Sequence, residues 1–409
     1  MRRVVITGMG TVTPVGCDVK TFWDSLINGK NGIDIVTRFD VTDFKAKLAA
    51  EIKDFDPLQY MEKSEIRKSD KFVQYAIAAA SQAVADSGID GKIAPERFGV
   101  YYGSGVGGFE TFISEENNLI NKGPSRVSPH FIPKMIANMG AGNIAIKFGA
   151  KGPCISVTTA CATGTTAVGE AFRAIRYGYA DAVIAGGVDA AITPLGFAGF
   201  INCMALTHST DKDCASIPFD KRRNGFVMGE GAGALVVEEY EHAIERGATI
   251  YAEVKGYGST CDAFHVTAPD SEAEASGRAI SDCLKEAECE YDADRIYINA
   301  HGTSTPLNDK TETKAIKKAF GGDAYKLHIS STKSMTGHLL GAAGAIEAIA
   351  AIKALENGIV PPTINLKESD PECDLNYTPN TACRTPIDFA MSVSLGFGGH
   401  NACIGFCKV

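Results

Sequence analysis

The stretch Ile155–Arg176, ISVTTACATGTTAVGEAFRAIR, decides how the rest of the chain is read. Ile155, Val157, Thr158 and Thr159 favour a strand. From Ala160 onward the composition turns to Ala and Gly, with Ala167, Ala171, Ala174 and Ile175 at helical spacing. The pattern predicts a strand that gives way to a buried helix, with Cys161 at the junction. A helix N-terminus carries free backbone N–H groups and about half a positive charge, which favour a thiolate over a thiol. Cys161 is thus a candidate nucleophile; the alternative is a small residue packed in a core.

A second segment echoes the first. Gly164, Ala167, Ala171, Arg173, Ala174 and Gly178 have counterparts in Gly344, Glu347, Ala351, Lys353, Ala354 and Gly358 at the same spacing. Both read as Ala/Gly helices too poor in polar residues for a surface, so each is predicted to be buried between sheets or helices. Elsewhere strands are expected at 4–7, 98–102, 182–185, 234–238, 254–257, 296–299, 329–330, 391–395 and 402–406. Helices are expected at 19–28, 70–87, 133–149, 271–287, 309–320 and 339–356, with Gly88 stopping the second of them. Residues 40–70 read as polar and irregular, and the residues ahead of 133 as loop-rich. This alternation implies an α/β class, and the echo implies a duplicated unit divided into residues 1–250 and 251–409.

Composition narrows the function. With 409 residues, 45% hydrophobic and 22% charged, the chain can bury one large core or two smaller ones. Many of the 43 glycines cluster at 103–108, 225–233 and 396–399, where they permit close backbone approach. A formal charge of -9 argues against general nucleic-acid binding but leaves room for a local basic patch facing an acidic partner. The 12 cysteines include no C-x-x-C pair, so reduced thiols are expected in place of a zinc site or a disulfide framework. Met1-Arg2-Arg3 before VVITGMG resembles a signal peptide only briefly, and reads better as the start of a buried strand. The longest apolar segment, 339–355, is interrupted by Glu347 and Lys353, which argues against a membrane span.

Three loops carry polar residues that need a reason. After the strand at 296–299 come His301, Thr303, Thr305, Asn308 and Asp309, where α/β proteins place ligands beyond the carboxyl ends of strands. His301 is either a satisfied structural group or part of the chemistry. The segment Ser330–His338 places Lys333 and His338 ahead of the second Ala/Gly helix, whose positive end should keep the imidazole neutral. Glu347 is a natural partner for Lys333, because a lone buried carboxylate is costly. Gly396-Phe397-Gly398-Gly399 is either a tight hairpin with one packed ring or a gate that turns backbone N–H groups toward an oxyanion.

TTACATG around Cys161, AHGTSTPLND around His301, KSMTGH ending at His338, and GFGGHN near the end resemble the elongating, type II β-ketoacyl-acyl carrier protein synthases in order and spacing. The opening VVITGMGTVTPVG and GSGVGG from Gly103 extend the resemblance over essentially the whole chain. It implies a thiolase-like fold of two five-layered α/β/α/β/α halves, a cytoplasmic homodimer, and fatty-acid elongation with acyl carrier protein as partner. By it Cys161, His301 and His338 form the catalytic set, supported by Lys333 and Glu347. Backbone N–H groups of Cys161 and Phe397 form the oxyanion hole, and Phe397 is the gate. Thr303 and Thr305 bind pantetheine, Val106 and Phe200 line the acyl pocket, and Arg67, Lys68 and Arg126 lie near the mouth where the carrier docks. No metal or organic cofactor is implied. His400 departs from the family, which usually has Thr after GFGG. A polyketide ketosynthase would share the same residues, whereas a chain-length-factor-like subunit would lack the nucleophile.

Overall fold

The structure of the protein, a computed structural model, describes residues 1–288 and 290–409; the cysteine at 289 lies outside the described residues. A 10-stranded mixed sheet crosses the molecule. Its strands are β1 (Val4–Val12), β2 (Phe98–Ser104), β3 (Cys154–Ile155), β4 (Ala182–Asp189), β5 (Gly231–Glu239), β6 (Ala252–Cys261), β7 (Ile296–Asn299), β8 (His328–Ser330), β9 (Phe389–Gly396) and β10 (His400–Cys407). One plan is used twice. β1 pairs antiparallel with β5 and β5 with β4, after which β4, β2 and β3 run parallel. In the same way β6 pairs antiparallel with β10 and β10 with β9, after which β9, β7 and β8 run parallel. The two sets join where Val5 and Ile6 of β1 face Glu253 and Ala252 of β6.

The main helices are α1 (Val19–Ile27), α2 (Lys71–Ser87), α3 (Phe109–Lys122), α4 (Met139–Phe148), α5 (Thr163–Arg176), α6 (Pro194–Asn202), α7 (Glu274–Glu286), α8 (Pro306–Phe320) and α9 (Ala343–Asn357). α2 and α4 cover one outer face, α7 and α8 the other, and α5 and α9 lie between the two sets of strands. An apolar core fills each space between layers. α2 behaves as its sequence predicts, with Asp70 capping the Phe72 N–H and Gly88 ending the helix at φ 59°.

The echoing helices are buried and touch each other. A Cβ placed on Gly164 would lie 2.5 Å from Ala345 N, so the glycine is what lets α5 and α9 approach. Ala, Gly and Ile fill most of the buried positions of α9, with Glu347 and Leu355 the exceptions, because both of its sides face sheet.

Several local expectations fail for tertiary reasons. Only Cys154 and Ile155 pair as strand; residues 156–159 make no ladder. The helix expected at 133–149 is two, Phe131–Met135 and α4, because the Met135 carbonyl accepts the Gly108 N–H at 2.9 Å. The region read as loop contains α3, whose only buried residue is Thr111, so its apolar residues do not mark a core face. α6 also went unforeseen. Among the described residues no helix is long and apolar enough to cross a membrane.

The close helix contact gives a direct test. Gly164→Ala is expected to destabilise the protein by about 1–3 kcal/mol through overpacking between α5 and α9. An unchanged urea midpoint would show that the two helices can separate at little cost.

Candidate active site

Cys161 lies in a 3₁₀ turn, Ala160–Ala162, that leads into α5, and not in the helix itself. Ala160 has φ 49°, a left-handed conformation that costs an L-residue roughly 1–2 kcal/mol. This sharp turn presents Cys161 to a cavity of about 440 Å³. Phe200, His301, Thr303, Thr305, His338 and Phe397 share its wall.

The turn after β9 closes over the sulfur. A Cβ on Gly396 would lie 3.2 Å from Cys161 N and 2.8 Å from Thr159 O, so only glycine lets this strand end approach the elbow. The Phe397 backbone N–H, brought near by this approach, favours the ionised form of the Cys161 thiol. Cys161 itself is only half-buried, but desolvation of its sulfur by the surrounding protein pushes the thiol up to about 12, against Lys333 and the Phe397 N–H. The thiolate expected from a helix end is therefore not the resting state, because desolvation outweighs the donors present.

His301 follows the end of β7. Its N–H and that of Gly302 donate to Glu312 Oε1 and Oε2 of α8 at 2.6 and 2.7 Å, which fixes the loop. Burial pushes the Glu312 carboxyl up to about 7. His338 is held by its backbone, its N–H donating to Val227 O and its carbonyl accepting from Gly229 N, both at 2.8 Å. The two imidazoles meet edge to face, with ring centroids 5.3 Å apart, and Phe226 packs its ring 5.0 Å from His338.

Lys333 and Glu347 form a buried ion pair, each side chain 1% exposed. Lys333 Nζ also lies 3.4 Å from His301 Nδ1. An ammonium can only donate, so Nδ1 of His301 accepts and the ring proton sits on Nε2. Burial and Lys333 hold both imidazoles well below the ordinary 6.5, so both are neutral. This is the charge state expected for His338, but its cause is burial and a lysine. α9 begins only at Ala343 and supplies Glu347 in place of a dipole.

Thr303 and Thr305 bond to each other through their hydroxyls at 3.0 Å on the cavity wall. Phe200 lines the cavity and packs edge-on against Phe226. Val106 does not line it: the residue is 39% exposed, and its N–H is drawn off to Asp189 at 3.2 Å. Arg67, Lys68 and Arg126 are exposed, away from the cavity wall, and make no ion pair with a described residue. His400 opens β10 beside the Phe397 turn, 3.1 Å from a Cβ placed on Gly398. Among the described residues no three His, Cys, Asp or Glu side chains gather to hold a metal ion. Sequence reasoning missed Phe226 and Glu312. Phe226 stood inside a noted glycine cluster, whereas nothing separates Glu312 from the other charges of an amphipathic helix.

Duplicated layers around a cysteine elbow that faces two histidines define the thiolase-like ketosynthase fold. The chain belongs to the beta-ketoacyl synthase family, matching its N-terminal domain over residues 1–243 and its C-terminal domain over residues 251–367. It is 49% identical over 409 residues to 3-oxoacyl-[acyl-carrier-protein] synthase 2 of Synechocystis sp., covering 100% of this chain and 98% of the relative. The protein of that name from Staphylococcus aureus (strain COL) is 51% identical over 408 residues, with 100% and 98% covered. Among solved structures, a beta-ketoacyl synthase from Burkholderia phymatum STM815 superposes with TM-score 0.92 at 35% identity, covering 100% of both chains. A ketosynthase in complex with a type II polyketide synthase acyl-carrier protein gives TM-score 0.91 at 36% identity, again covering 100% of both.

Because the histidines resist protonation, their contribution to stability is complete above the ordinary 6.5 and declines as the pH falls below it; there the unfolded chain takes up protons that the folded site refuses. The ¹³Cε1 resonances of His301 and His338 should accordingly stay fixed between about pH 8 and 6. Movement centred on the ordinary imidazole value would show the site to be wetter than described.

Proposed function

We propose that the protein is an acyltransferase that condenses acyl-acyl carrier protein with malonyl-acyl carrier protein, releasing 3-oxoacyl-acyl carrier protein, carbon dioxide and free carrier protein. The observation that carries this reading is the convergence of Cys161 and two neutral histidines on one cavity, with the His301 tautomer set by Lys333. A set of three different groups suits two half-reactions at one place.

In the first half-reaction the Cys161 sulfur attacks the thioester carbonyl of the acyl chain. The thiol gives up its proton as it attacks, since desolvation holds it protonated at rest, and that proton leaves on the carrier sulfur. The oxyanion is received by the N–H groups of Cys161 and Phe397, and carrier thiol leaves. In the second, Thr303 and Thr305 hold the pantetheine of malonyl-carrier protein by its amides. The malonyl carboxylate departs as carbon dioxide and leaves an enolate. His301 donates its Nε2–H to the enolate oxygen, and His338 supplies the second donor. The enolate carbon attacks the acyl-Cys161 carbonyl, and the cysteine sulfur leaves as a thiolate that takes up one proton from solvent, the proton the overall condensation consumes.

The same reading assigns the nucleophile to residues 1–250 and the histidines to residues 251–409, and the matching strand plans support that division. It gives the protein no metal or organic cofactor of its own, a cytoplasmic setting, and a place in type II fatty-acid elongation. Ketosynthases of polyketide assembly share the fold, but the identity of about half to the synthases of the numbered type favours elongation. Arg67, Lys68 and Arg126 offer the exposed cations that an acidic carrier would meet. Val106 and Ile155, exposed at 39% and 46%, supply apolar surface that a second copy would cover in a homodimer.

Incubation with a sixteen-carbon acyl-carrier protein and malonyl-carrier protein should yield a 3-oxo product two carbons longer, read by mass. Cys161→Ala should take up no acyl group, and His338→Ala should lose on the order of a hundredfold in malonyl decarboxylation. Acylation of Cys161→Ala, or full decarboxylation by His338→Ala, would sink the corresponding assignment. Lys68→Glu should raise KM for the carrier substrate with kcat unchanged, an effect that fades as salt is added.

A further inference from the structure

The chain contains a second elbow. Leu340, at φ 50°, opens the turn Leu340–Ala342 ahead of α9, just as Ala160, at φ 49°, opens the turn ahead of α5. Gly341 stands where Cys161 stands in the first. A side chain is excluded there, since a Cβ on Gly341 would lie 2.7 Å from Gly105 N and 2.8 Å from Asp189 Oδ2. The Gly341 N–H, counterpart of the N–H beside the sulfur, donates to Asp189 Oδ2 at 2.6 Å. Asp189 ends β4 as Gly396 ends β9. A resident carboxylate thus fills the position that a transient oxyanion takes at the first elbow.

Asp189 is fully buried and has further partners. It accepts from Ser104 Oγ at 2.6 Å, Gly105 N at 3.1 Å and Val106 N at 3.2 Å, while Ser104 Oγ accepts from Gly107 N at 2.8 Å. The turn after β2 is therefore fastened to the second elbow. It also backs the first: a Cβ on Gly105 would lie 3.7 Å from Ala160 O, and Thr158 Oγ1 donates to Ser104 O at 3.2 Å. Ala160 is the strained residue that aims Cys161. The Asp189 charge also works against ionisation of the Cys161 thiol. None of these contacts has a part in the reaction steps above.

We propose that Asp189 is a positioning residue for acyl transfer, clamping the Ser104–Gly107 turn between the two elbows and so holding the Cys161 elbow in its reactive conformation. The proposal rests on Cys161 being the acylated nucleophile. Asp189→Asn keeps the shape and removes the charge, and Ser104→Ala removes one donor. Acylation of Cys161 by acyl-carrier protein, followed by intact mass, should slow roughly tenfold or more in Asp189→Asn and by less in Ser104→Ala. Malonyl decarboxylation, which depends on His301 and His338, should stay within about twofold. The pH midpoint for iodoacetamide alkylation of Cys161 should fall in Asp189→Asn, since a nearby negative charge is lost.

Equal losses in both half-reactions with an unmoved alkylation midpoint would mean a structural role only and overturn the proposal, as would no loss in either half-reaction. Should Asp189→Asn fail to fold, the split between half-reactions in Ser104→Ala decides the matter. If the unmodified protein takes no acyl group on Cys161, the functional reading fails, and the alkylation midpoint alone then judges Asp189.

Discussion

The Lys333–Glu347 pair is the constraint on which the site depends. Taking two charges out of water costs several kcal/mol per ion, and the attraction between them offsets that only when the geometry is held. Here the holding is done by the fold: Glu347 comes from α9, deep between the strand sets, and Lys333 from a short helical turn after β8. Burial pushes Glu347 up to about 7 even so, with Lys333 pulling it back. Lys333 then fixes the His301 tautomer and helps keep both imidazoles neutral. The proton on His301 thus depends on a helix that never reaches the cavity wall.

That helix has its place because the architecture is used twice. α5 and α9 are equivalent elements that cross through small residues, each preceded by a residue in the left-handed region. Symmetry supplies two elbows, and chemistry needs one. The first keeps a side chain, Cys161, and is met by a backbone donor from Phe397. The second loses its side chain to Gly341 and is met by an acceptor, Asp189. The difference between the halves, more than either half alone, makes an active site out of a duplicated scaffold.

Much of this was legible in the residues because the site sits where local signals are strong. Cys161, His301 and His338 each follow or precede a recognisable periodic segment, and Glu347 stands out as a carboxylate in the Ala- and Ile-rich first half of its helix. The division of 133–149 into two helices was not legible, since Gly108 takes the Met135 carbonyl from across the fold. Nor was α3, whose apolar residues Phe112, Leu119 and Ile120 face outward. The setting of Val106, which the resemblance assigns to the acyl pocket, was not legible either: Asp189, far away in sequence, takes its N–H and decides where its backbone points. For Cys161 a helix end is visible in sequence, whereas the desolvation that pushes its thiol up is not.

Burial acts on the thiol and the imidazoles in opposite senses, and the combination matters for control. It raises an acid to about 12 and lowers two bases, so moving a proton from Cys161 to either histidine is uphill. A freely ionised cysteine would be open to oxidation and stray alkylation. On the proposed reading the cost of ionisation is met only when a thioester carbonyl arrives and its developing oxyanion gains the Cys161 and Phe397 N–H groups. The nucleophile is then strong only in the presence of its substrate. The histidines, kept neutral throughout, remain donors for the enolate without holding a cation beside the carboxylate that must leave.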